Sequence, residues 1–142
     1  MTPMTTLNSN ENRSITARPV PNGERTQVLP RHFGRRMIRF EAAVYDWLGS
    51  LSKDYSGAYW NFYELSNGGF YMAPVLNRLL IESPNGFSRT VSPDAAGIIA
   101  CLFSCSHLSF HSEDEVFANH FHLLRPFALE HSEANLILAA ID

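Results

Sequence analysis

The sequence contains no apolar run close to the ~20 residues that a membrane span requires. Its opening stretch, MTPMTTLNSNENRS, lacks the basic patch and apolar segment of a secretory signal. Cysteine is scarce: Cys101 and Cys105 are the two present. They stand four apart within a helical pattern, so they share a helix face and do not staple a loop. With no export signal they are expected as reduced thiols, and the protein is expected in the cytoplasm. Charge is thin as well, at 18% of residues against roughly 25% in soluble chains. Hydrophobic residues make up 45%, which supports a real core and excludes disorder of the whole chain. At 142 residues one domain is expected, residues 17–142, after a polar disordered tail over residues 1–16.

What charge there is lies unevenly. Residues 1–91 hold ten Lys and Arg against seven Asp and Glu, whereas residues 92–142 hold one basic residue, Arg125, against seven acidic ones. Neither half carries a dense run, so both read as solvated faces. A protein that imitates duplex DNA must match about one charge per 1.7 Å of axis. Fourteen acidic residues against eleven basic ones fall short of that. The one acidic triplet, Glu113-Asp114-Glu115, suits a helix start.

Residues 17–34 carry three prolines and two glycines and read as an extended, turn-rich arm. From residue 36 to about 51 the pattern is helical, with Ile38, Ala42, Tyr45 and Leu48 on one stripe, widened by Phe40, Val44 and Trp47. The middle is β. Aromatic-rich residues 58–65, a turn at Asn67-Gly68-Gly69 and residues 70–73 form one hairpin. Residues 79–82, a turn at 83–86 and residues 87–91 form a second. Together they predict an antiparallel meander of about four strands. Ser92-Pro93-Asp94 then starts a buried helix over 95–108. Ser112 and Glu115 form a capping box for a helix to about residue 130, with a stripe of Phe117, Phe121, Leu124 and Ala128. Pro126 implies a kink or break near Leu124 and Arg125. Ser132 caps a last helix over 133–141. The fold class expected is α+β, the meander packed by three to four helices.

Chemistry is sparse. Cys101, Cys105, His107 and His111 resemble a ligand set, but at 100° per residue they point at about 0°, 40°, 240° and 280° around one helix and cannot converge on a tetrahedral ion. No G-x-S-x-G elbow or phosphate-binding glycine loop is present. Glu41, Asp46, Asp54 and Glu64 offer carboxylates with no pattern that favours acid–base work over turn and surface roles. No cofactor, metal or catalytic residue is assigned. Arg31, Arg35, Arg36 and Arg39, with Tyr55, Tyr59, Trp60 and Tyr63 nearby, are the residue types that grip single-stranded nucleic acid. A sequence pI of about 6.0 is low for such a binder, and the aromatics equally suit packing between helix and sheet.

Residues 29–34 (LPRHFG), 51–57 (LSKDYSG) and above all 59–74 (YWNFYELSNGGFYMAP) resemble the ArdB/KlcA antirestriction family. Residues 92–98 (SPDAAGI) and 139–142 (AAID) add to the match, which runs from about residue 20 to the end. The resemblance implies a small α+β protein of plasmids and other mobile elements. It implies inhibition of type I restriction of incoming DNA without DNA mimicry, and no catalytic set. The implied partner is the type I restriction-modification system or its DNA complex. Direct nucleic-acid binding through the Arg31–Arg39 cluster is the alternative. Polar members of the motif, Tyr55, Asn61, Glu64, Ser66 and Asn67, together with Asp142, are the candidate partner contacts.

Overall fold

In a computed structural model, which describes residues 14–142, the chain runs β1 (Ala17–Pro19), α1 (Arg25–Phe33), α2 (Met37–Leu51), β2 (Trp60–Leu65), β3 (Phe70–Pro74), β4 (Leu79–Glu82), β5 (Ser88–Val91), α3 (Pro93–Phe110), α4 (Val116–Glu130) and α5 (Ala134–Ile141). Short 3-10 turns at Asn22–Glu24 and Gly34–Arg36 flank α1. The architecture is α+β, as expected. Most of the tail expected to be disordered lies outside the described residues. Ile15 donates its N–H to Glu130, and Thr16 exchanges bonds with Ser66.

Both expected hairpins form, but they belong to separate sheets. β1, β2 and β3 make a three-stranded antiparallel sheet, and β4 pairs with β5 alone. Pro74 closes β3 opposite Trp60, and a proline cannot carry the ladder onward. The place beside β2 goes instead to β1, an edge strand in which Pro19 loses no sheet bond. Gly68 turns the first hairpin at φ +94°, a conformation side chains rarely adopt.

The arm expected to be extended contains a nine-residue helix. Pro30 removes the bond to the Thr26 carbonyl, a local cost of about 3 kcal/mol. Burial of Val28, Leu29 and Phe33 on one face outweighs it at roughly 1.5–3 kcal/mol per side chain. In α2 the buried face is Phe40, Val44, Leu48 and Leu51. The expected leader of its stripe, Ile38, is 69% exposed, and Ala42 is exposed with it. Two apolar stripes run along this helix, and periodicity alone does not say which one meets the core.

Ser92 caps α3 as expected, its hydroxyl accepting from Ala95 N–H at 3.1 Å. Two other caps differ. At α4, Asp114 accepts from Val116 N–H and Ser112 from Asp114 N–H, so a short aspartate turn replaces the Ser112–Glu115 box. At α5 the acceptor for Glu133 N–H is His131 Nδ1, not Ser132. α4 continues through Pro126 without a break, held by the burial of Leu124 and Ala128. Its buried face is Phe117, His120, Leu124 and Ala128; Phe121 is only half-buried.

α3 is the central helix. It lies on β3 and against α2, α4 and α5. All five β3 residues are buried. Phe33, Phe40, Phe70 and Phe117 meet where α1, α2, α4 and the sheet converge, with Phe33 stacked on Phe40 at 4.0 Å.

Candidate functional site

Beside this aromatic nucleus sits a polar cluster centred on Glu64. β2 carries Glu64 opposite Arg18 of β1. Arg18 Nη2 donates to its Oε1 at 2.6 Å. From α1, Arg31 Nη2 donates to Oε2 at 2.8 Å, and His32 Nε2 lies 2.7 Å from the same oxygen. Arg18 also reaches Glu24 at 3.3 Å. The Glu64 side chain is 18% exposed and that of His32 11%. Burial pushes the Glu64 carboxyl up, but hydrogen bonds from Arg31, His32 and Arg18 outweigh it and hold the group down at about 2.

His32 in turn rests against His120 of α4, ring centroids 5.2 Å apart, edge to face. His120 Nε2 lies 3.1 Å from the His32 carbonyl oxygen, which fixes that nitrogen as the donor. Its Nδ1 is left buried with no partner. Burial, then the neighbouring His32, push this imidazole down to about 4, against the opposing effect of its backbone hydrogen bond. The unfolded chain takes this proton near pH 6.5 and the folded chain only near pH 4. The ring is therefore neutral in stability above about pH 6.5 and destabilises the fold progressively from there down to about pH 4, by about 3 kcal/mol at the end of that span. Urea midpoints at pH 7, 5.5 and 4 should fall steadily, and His120→Phe should flatten the decline. An equal decline in the variant would rule out this ring as the cause.

The remaining candidate contacts are placed as follows. Ser66 Oγ accepts from Thr16 N–H. Asn67 Oδ1 accepts from Gly69 N–H inside the turn, and its Nδ2 donates to the Leu123 carbonyl of α4 at 2.8 Å. Tyr55 lies half-buried, edge-on to Trp60 at 5.8 Å. Asn61 is exposed on β2, and Asp142 is exposed at the end of α5, beside a depression it lines with Arg125. Glu64, Ser66 and Asn67 thus hold segments of the fold together. Sequence reading gave Arg18, His32 and His120 no part in this cluster; the contacts that join them to it span 32 to 88 positions, and no local pattern marks them.

Part of the arginine–aromatic cluster is engaged within the fold. Arg31 is bound to Glu64, and Arg36 reaches Asp114 at 3.5 Å. Trp60 is buried, and Tyr63 stacks on Tyr71 at 4.8 Å. Arg25 covers Tyr59 and Phe62, at 4.7 and 4.1 Å, and donates to the Trp60 carbonyl. Cys101 and Cys105 are free and buried. Burial pushes the Cys101 thiol up to about 12 and raises that of Cys105 as well, so both are inert as nucleophiles. No helix among the described residues is long and apolar enough to cross a membrane.

The sequence and the overall fold have counterparts among known proteins. The profile of the family described as antirestriction protein matches residues 53–142. Two Escherichia coli proteins named antirestriction protein KlcA are each 45% identical. One aligns over 137 residues, 90% of this chain and 94% of its own length; the other aligns over 139 residues, 93% and 98%. A solved structure superposes with a TM-score of 0.86 at 46% identity, covering 92% of this chain and 96% of its own. It comes from work describing the KlcA and ArdB proteins as a novel fold with antirestriction activity against type I DNA restriction systems in vivo but not in vitro. The chain belongs to the ArdB/KlcA antirestriction family.

Proposed function

We propose that this protein protects incoming DNA from type I restriction in the cytoplasm, through a protein contact and without imitating DNA or performing catalysis. The observation that carries this reading is where the carboxylates go. Glu24, Glu64 and Asp114 are bound by arginines, Asp94 by Tyr71 and His131, and Glu41 by Tyr45. Asp54, Glu130 and Glu133 accept backbone N–H groups. A DNA mimic needs its acids turned outward in a continuous array at phosphate spacing. Here most of them serve the fold. The engagement of Arg31 and Arg36 weighs likewise against direct DNA binding through the α1–α2 arginines. Activity of the solved relative in vivo but not in vitro fits an inhibitor that needs a further component of the cell.

The test is transfer of unmodified plasmid DNA into a host with an active type I system, with and without this protein. Expression should raise the yield of transfer toward that of a non-restricting host. Unchanged restriction at confirmed expression would refute the reading. Binding to naked duplex DNA that weakens steeply with salt would replace the protein-contact mechanism with the DNA-binding one.

A further inference from the structure

α3 ends in two exposed histidines. His107 occupies its last turn and His111 caps it. Four apart on a helix, they share a face, and their ring centroids lie 4.6 Å apart at an interplanar angle of 50°. The rings of His32, His120 and His131 are all engaged in hydrogen bonds. Those of His107 and His111 have no such partner among the described residues, so their nitrogens are available.

An imidazole nitrogen binds zinc-like ions at about 2.0–2.1 Å. Two rings that hold one ion at a right-angled to tetrahedral bond angle then have centroids about 4.5–5.2 Å apart. The observed separation falls in that interval. The carbonyls at a helix C-terminus carry partial negative charge and favour a cation there. Asp46 lines the adjoining depression with Trp47 and His107; Arg39 lines the next one, so the local side-chain charge is balanced. No group of three or more His, Cys, Asp or Glu converges among the described residues, which leaves the other coordination positions open to solvent.

We propose that His107 and His111 form a two-imidazole chelate for a divalent transition-metal ion of the copper, nickel and zinc class. Imidazole suits these ions and not magnesium or calcium, which take oxygen ligands. Affinity should follow the general order for nitrogen sites, with copper tightest. The site carries its own reporter. Trp47 stacks on Phe103 at 4.5 Å, and its ring lies 6.1 Å from that of His107, near enough for bound copper to quench it.

The experiment is a Cu2+ titration of the untagged full chain, followed by tryptophan emission, with Zn2+ binding measured by calorimetry. One ion per chain should bind saturably near pH 7.5 and quench part of the emission. His107→Ala and His111→Ala, both at exposed positions, should each weaken binding by at least about tenfold, because either change leaves a single imidazole. Trp47→Phe should abolish the quenching and keep the zinc heat. Absence of saturable one-to-one binding would overturn the proposal. So would binding that survives either histidine substitution at unchanged strength.

Discussion

Replacing Gly97 with alanine is expected to cost the fold about 3 kcal/mol or more. In an unconstrained helix the same change stabilises by nearly 1 kcal/mol, since alanine is the better helix former. The sign reverses here because of what faces Gly97 across the α3–β3 contact. A Cβ at this position would stand 2.3 Å from the Met72 carbonyl oxygen and 2.6 Å from the Ala73 Cα. Both are backbone atoms of a fully buried strand, so no side chain can swing aside to make room. Helix and strand must separate, and overpacking of that kind costs 1–3 kcal/mol or more. The separation would also loosen the packing of Cys101 on the Met72 carbonyl, now 3.8 Å apart. Thermal and urea unfolding of Gly97→Ala provide the check. A melting temperature equal to or above that of the parent protein would show that the contact is not as close as described.

The second large effect is expected at Glu64. Glu64→Gln keeps the shape but removes the charge that Arg18, Arg31 and His32 share. Breaking a largely buried ion pair by removing one partner costs 3–5 kcal/mol. The two arginines are about half exposed, and water screens them in part, so a loss of about 2–3 kcal/mol is expected. The pH profile gives a second signature. Glu64 titrates at about 2 in the fold against 4.5 in the unfolded chain. Its contribution is complete above about pH 4.5 and is lost as pH falls toward 2. Glu64→Gln should therefore lower stability at pH 7 and flatten the acid limb below pH 4.5, a window distinct from that of His120. A variant as stable as the parent at pH 7 would mean that the cluster contributes nothing net. Because the motif around Glu64 braces the fold, transfer assays on variants of it need stability measured alongside.

How far these features were legible in the sequence depends on the range of the interaction. Ser92-Pro93-Asp94 marks a helix start through bonds made within four residues, and it appears where expected. The two hairpins are written in their turn glycines, with aromatic strands in the first and apolar ones in the second, but their division into two sheets is not. α1 was hidden because Pro30 is a local signal against helix, while the burial that overrides it comes from α2, β3 and α4. The inward face of α2 was ambiguous because Ile38 and Phe40 head competing stripes. The Glu64 cluster was invisible as a cluster. Glu64 itself was singled out from a motif, but its partners come from β1 and α1, 32 to 46 positions away. His120 was legible only as a possible partner for a metal with the α3 histidines, whereas its actual neighbour, His32, lies 88 positions away.

The family profile begins at residue 53, yet the fold does not. Val20, Val28, Leu29, Phe33, Phe40, Val44 and Leu48 all enter the core from upstream of that point, and among the described residues Arg18, Arg31 and His32 supply every side-chain partner of the Glu64 carboxylate. The stretch that the profile matches is thus one part of an interlocked whole. Cut at residue 53, it would keep the residues of β2 and β3 and lose the walls that hold them in place.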